Sequence, residues 1–128
     1  MGIKIYERMA AGKMPPMIWV MLDEHLPTGT QEFANSVNDG PWGTALTAEY
    51  IPWIQSHYRM LDHARDRFLQ GHSSGGWATL QLQINYPRLF GGTWSTSPDP
   101  SDFHNFTGID LYAPHANVYR KPDGQPYR

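Results

Sequence analysis

Apolar positions along this chain fall into short runs of different period, separated by clusters of proline, glycine and asparagine. "IKIYERMAAG" has the spacing of a short helix and ends at Gly12, a residue suited to closing one. "MIWVMLD", residues 17–23, is a continuous apolar run of the kind found in strands covered on both faces. "EHLPTGTQEFANSVNDGPWG", residues 24–43, is loop chemistry. Its length, with its aromatic and amide content, favours a functional loop. "ALTAEYIPWIQSHYRM" puts Leu46, Tyr50, Ile51, Ile54 and Tyr58 at helical spacing. Thr44 or Thr47 is positioned to cap it, and Pro52 should kink it or lie in its first turn. "RDRFLQ" reads as a second strand, "GGWATLQLQINYP" as a helix stopped by Pro87, and "LFGGTWSTSP" as a third strand. Beyond Pro98 no period is visible, so residues 99–128 read mostly as loop.

Helix and strand therefore alternate three times. That order predicts an α/β fold with three parallel strands, flanking helices and right-handed crossovers. A chain of 128 residues fits a single domain, 1–128, with a modest core.

Composition narrows the function classes. Hydrophobic residues make up 40% and charged residues 17%, a globular balance that excludes a disordered chain. The net charge of −2 leaves no basic footprint, so no nucleic-acid partner is expected. The chain has no cysteine, which excludes disulfides, thiolate metal sites and cysteine nucleophiles. The apolar run around "MIWVML" is too short to span a bilayer, and no membrane partner is expected. "MGIKIYERMAAGK" lacks the apolar centre of a signal peptide. The histidines are scattered and H-E-x-x-H is absent, so no metal is expected.

The chemistry concentrates in "FLQGHSSGGWATLQLQ". Gly71-x-Ser73-x-Gly75 lies between a predicted strand and a predicted helix, the context that gives a nucleophile elbow its meaning. In such a turn the serine takes a strained backbone, and glycines two residues away on either side avoid clashes. The Ser73 hydroxyl then stands above the C-terminal edge of the sheet. The backbone N–H of Ser74, at the helix start, is placed to bind a developing oxyanion. The bland reading of the same residues is a small-residue turn, such as one that binds phosphate. The dinucleotide spacing G-x-G-x-x-G is not present.

"RFLQGHSSGGWATLQLQINYPRLFGGTWSTSP" resembles the α/β-hydrolase superfamily, in particular its esterase D-like serine esterases. The resemblance rests on the elbow at Ser73, on Pro87 to Phe90 closing the next helix, and on Gly91-Gly92 in the following strand. "AAGKMPPMIWVMLD" is similar to a strand of that family, and "EFANSVNDGPWGTALTAEYIPWI" to its substrate-side loop and following helix. The resemblance covers about residues 8 to 98. It implies a partial α/β-hydrolase fold and ester hydrolysis of a small molecule through an acyl-enzyme on Ser73, without a cofactor.

It also implies gaps. Residues 17–23 would be the fourth strand of eight, 66–70 the fifth and 90–96 the sixth. The third strand and the usual histidine segment have no counterpart, so the text reads as the middle of a longer hydrolase. His72 adjoins Ser73 but sits on the turn itself. His57 and His63 lie at a helix end. His25, Glu24 and Trp42 are candidate pocket residues beside the sheet's C-terminal edge. His104 and His115, with Asp99 and Asp102, follow the last strand in the order serine, acid, histidine; Asp102 and His104, two residues apart, are hard to bring into line with one serine, and His115 with Asp99 or Asp102 is geometrically easier. Trp77 and Trp94 read as core. Two outcomes are expected: weak hydrolysis by the chain alone, and self-association or dependence on missing segments. The alternative is a non-catalytic α/β binding module that keeps the turn without a working base.

Overall fold

The structure is a computed structural model and describes residues 2–105 and 108–127. Helix α1, Gly2–Ala10, ends as its sequence predicts. Gly12 takes φ +67, its N–H bonds the Met9 carbonyl and the Lys13 N–H bonds that of Arg8. This paired closure satisfies two of the carbonyls a helix end leaves open. None of the side chains of α1 is buried.

The strand predicted at 17–23 does not form. These residues carry no helix or strand, and Met17 to Leu22 are all exposed. A strand exists only where a neighbour takes its backbone hydrogen bonds. No backbone hydrogen bond to residues 18–23 is found among the described residues. The expected set of three parallel strands is therefore reduced to one parallel pair.

The long loop folds into two small antiparallel ribbons. β1, His25–Leu26, pairs with β2, Gly29–Thr30, and β3, Asn35–Ser36, pairs with β4, Gly40–Pro41. Helix then runs in three pieces: α2, Trp42–Thr44, a π-helical stretch Ala45–Tyr50, and α3, Ile51–His57. The Ile51 N–H bonds the Leu46 carbonyl, five residues back, just before Pro52. The wider turn accommodates a proline that has no N–H to give. Neither Thr44 nor Thr47 caps this helix with its side chain. It starts earlier, at Trp42, and Asn35 Oδ1 accepts the free Thr44 N–H (3.0 Å) across the chain. Thr47 is buried and donates to the Gly43 carbonyl (2.8 Å).

A 3₁₀ turn, Ala64–Asp66, leads into β5, Phe68–His72. Helix α4, Ser74–Asn85, follows directly, and β6, Gly92–Thr96, returns parallel to β5 with Phe68 opposite Gly92 and His72 opposite Thr96. Leu46, Ile51, Leu82 and Phe90 form the core between α4 and the helical segment. Leu82 is 1% exposed. Only one face of the sheet is covered. Phe68 and Trp94 meet edge to face (5.8 Å between centroids) on the open face, with Trp94 61% exposed. Trp94 is thus not core, because no helix among the described residues packs over that side. Among the described residues, 99–127 hold turns and isolated bridge positions, among them the pairing of Arg120 with Pro126.

Candidate active site

Ser73 occupies the single residue between β5 and α4, with φ 58 and ψ −124. A positive φ in a residue with a Cβ costs of the order of 1–3 kcal/mol and persists only where surrounding structure enforces it. Here both sides enforce it. The Ser73 N–H bonds the Thr96 carbonyl of β6 (3.1 Å), and the Ser73 carbonyl accepts the Trp77 N–H of α4 (3.0 Å). The Ser73 side chain is exposed at the C-terminal end of the parallel pair.

The neighbouring glycines have separate reasons. A Cβ on Gly71 would lie 2.0 Å from the Gly75 carbonyl oxygen, an impossible contact. A Cβ on Gly75 would meet nothing. The expectation that both glycines relieve side-chain clashes therefore fails for Gly75, whose backbone is the obstacle that Gly71 must clear. Gly76 is the second close approach, since a Cβ there would press on the Thr96 carbonyl at 2.8 Å. That packing holds α4 against the end of β6.

Around the serines the structure gathers carboxylates. Ser73 Oγ faces Asp99 Oδ1 at 3.5 Å, and Ser74 Oγ donates to Glu24 Oε1 (3.3 Å). Burial raises the Glu32 carboxyl above its usual value, and the charges of Glu24 and Asp99 push the same way. A hydrogen bond from the Thr30 hydroxyl opposes them. Glu32 and Phe33 have positive φ, 46 and 51. Their loop is tied to α4 by Gln81 Nε2, which donates to the Phe33 carbonyl (3.0 Å). Glu32 had no signal in sequence beyond its place in the long loop.

Of the other candidates, Glu24 comes to the serine turn and His25 and Trp42 do not. His25 is exposed and faces Asp23, and Trp42 Nε1 donates to the Asp39 carbonyl (2.6 Å). The Ser74 N–H makes no backbone bond among the described residues, as expected for the first N–H of a helix. No histidine is hydrogen-bonded to Ser73 among the described residues. His72 Nδ1 is 3.3 Å from Thr96 Oγ1. His104 Nδ1 is hydrogen-bonded to Asp102, which holds the imidazole pKa above its ordinary value and the carboxyl below its own. The His104 ring also lies against Tyr112 (4.5 Å between centroids). A recess beside α4, lined by residues that include Phe33, Trp77, Gln81 and Tyr86, does not include Ser73. No cluster of three metal-ligating side chains occurs among the described residues, and no helix there is long and apolar enough to cross a membrane.

A mixed α/β framework that presents a serine at a strand-to-helix junction has the form of a hydrolase. The comparison with protein families agrees: the model of the family described as "Putative esterase" matches residues 6–123, and the chain belongs to that family. A search of curated proteins finds no match to the chain.

Proposed function

We propose that this chain is an esterase D-like serine hydrolase that cleaves small carboxylic esters through an acyl-enzyme on Ser73. The observation that carries the reading is the backbone of Ser73, φ 58 and ψ −124 between β5 and α4, the conformation expected of a nucleophile elbow. Ser73 Oγ attacks the ester carbonyl carbon and gives its proton to a base. The tetrahedral oxyanion takes the Ser74 N–H, strengthened by the positive end of α4. Collapse expels the alcohol, which takes the proton back from the base. Water, deprotonated by the same base, then attacks the acyl carbon and releases the acid and Ser73.

The base we assign is His104. It follows the nucleophile and the acid in permitted chain order, and Asp102 already holds its Nδ1, which leaves Nε2 for the serine. Turnover requires the loop after β6 to carry that nitrogen to Ser73. One observation favours the second reading, a binding module with an inert serine: Ser73 faces the Asp99 carboxylate and no imidazole. Labelling with a fluorophosphonate separates the two. Covalent modification of Ser73 is expected of the hydrolase, and an unlabelled, folded chain would rule it out.

A further inference from the structure

The chain exposes 9901 Å² of surface. A compact monomer of 14.6 kDa exposes about 6,900 Å² by the usual scaling with mass. The difference is roughly 3,000 Å², whereas a standard stable interface buries about 800 Å² on each partner. Helix α1 and the turns after Asp99 contribute to the excess, since most of their side chains are exposed. They supply part of its apolar area, through Ile3, Tyr6, Tyr112, Val118 and Tyr119, and a further part lies in one continuous run. Met17, Ile18, Trp19, Val20, Met21 and Leu22 are 37% to 64% exposed, a run with the composition of a buried strand and no sheet to enter.

The same chain carries a sheet edge with no strand. The Arg67 carbonyl and the Ser73 N–H are committed to the β6 side, through Gly91 and Thr96. In a parallel ladder the backbone groups of successive residues alternate between the two edges. Phe68, Gln70 and His72 therefore turn their N–H and C=O groups to the free edge, and none of them has a backbone partner elsewhere among the described residues. Beside that edge lies the open face bearing Phe68 and Trp94. An unpaired strand-forming run and an unpaired edge on one molecule complement each other between two molecules.

We propose that this chain self-associates by strand exchange, the Met17–Leu22 run of one copy adding to the free edge of β5 in a second copy. Reciprocal exchange uses both runs and both β5 edges, so the assembly closes as a two-fold dimer. It removes the largest apolar run from water and pairs the backbone groups of both segments. The inference does not depend on any activity of Ser73.

The test uses the full chain in sedimentation at low micromolar concentration, with the Val20→Pro variant beside it. Proline has no N–H for a ladder, and Val20 makes no backbone hydrogen bond within its own copy. The wild-type chain is expected to be dimeric, and V20P monomeric with its helical far-ultraviolet circular dichroism retained. The chain has no cysteine of its own, so copies carrying Ile18→Cys mixed with copies carrying Gln70→Cys provide a second reading. A short bismaleimide should yield a peptide joining positions 18 and 70. A monomeric wild-type chain overturns the proposal. So does a dimer that survives V20P and gives no such peptide. A V20P chain that loses its helical signal would place the run in the core of its own copy, and that also overturns it.

Discussion

Ser73 points its hydroxyl at the carboxylate of Asp99, 3.5 Å away, at the outer limit of a hydrogen bond. A carboxylate is a weaker base than an imidazole, so this contact alone activates the serine poorly. Turnover on an activated ester is therefore expected to fall far below the enzyme median of roughly 10 s⁻¹. Ser73→Ala should abolish both hydrolysis and fluorophosphonate labelling. Ser74→Ala keeps its N–H and should retain most of both. Equal loss in the two variants would remove Ser73 from the mechanism.

Gly71 and Gly75 should respond in opposite ways to alanine. At Gly71 the added methyl meets the Gly75 carbonyl at 2.0 Å, so the turn must open. A loss of about 3 kcal/mol is expected, at the upper end for overpacking. At Gly75 the methyl enters open space in the first turn of α4, where alanine favours helix by up to about 1 kcal/mol. Urea denaturation of the two variants measures the contrast. A Gly75→Ala variant as unstable as Gly71→Ala would contradict the geometry.

The Asp102–His104 pair should be visible in a histidine titration by NMR. The hydrogen bond between them raises the His104 pKa above its ordinary value and lowers that of Asp102 below its own. The ion pair is accordingly present above the folded pKa of Asp102 and lost as pH rises through that of His104. Asp102→Asn should bring the His104 midpoint down to the ordinary range, with His104→Gln identifying the resonance. If His104 also serves as base, H104Q should lower Ser73 labelling by about 10²- to 10⁴-fold. Undiminished labelling would dismiss it from that role while leaving the titration result standing.

Glu32 carries a stability prediction of defined sign. Burial, with Glu24 and Asp99 nearby, raises its pKa from 4.5, so the folded chain binds that proton more tightly than the unfolded one. Stability from this group is greatest at acid pH and falls as pH rises from about 4.5 through the folded value. Glu32→Gln should raise the melting temperature at pH 7 and make little difference at pH 3.5. Destabilisation of the same size at both would mean that the side chain contributes contacts, not repulsion.

The parts legible in the sequence are those whose structure is decided locally. Gly12 closes α1 because its own backbone permits the turn, and the spacing Gly71-His72-Ser73-Ser74 marks the passage from β5 to α4, which Thr96 and Trp77 then hold. The run 17–23 has the composition of a strand and forms none, because a strand is a relation between segments and composition carries no information about whether a neighbour is present. Pro52 was foreseen as a disturbance, but its accommodation by a π-helical stretch depends on Leu46 and Ile51 sharing the core. Asp99 was among the acids considered, while its approach to Ser73 follows from the turn after β6, where Ser97 has φ 46.

β5, α4 and β6 follow one another along one stretch of chain, and this has a kinetic consequence. Their contacts close over short loops, which lose less entropy than contacts between remote segments. This unit is the natural nucleus, and α3 docks afterwards. Leu82→Ala should therefore slow refolding, whereas Ile51→Ala should mainly speed unfolding, a division that stopped-flow measurements on the two variants can resolve. The turn that strains Ser73 would then be among the first features to form during synthesis, ready once Thr96 has left the ribosome and before most later residues have emerged.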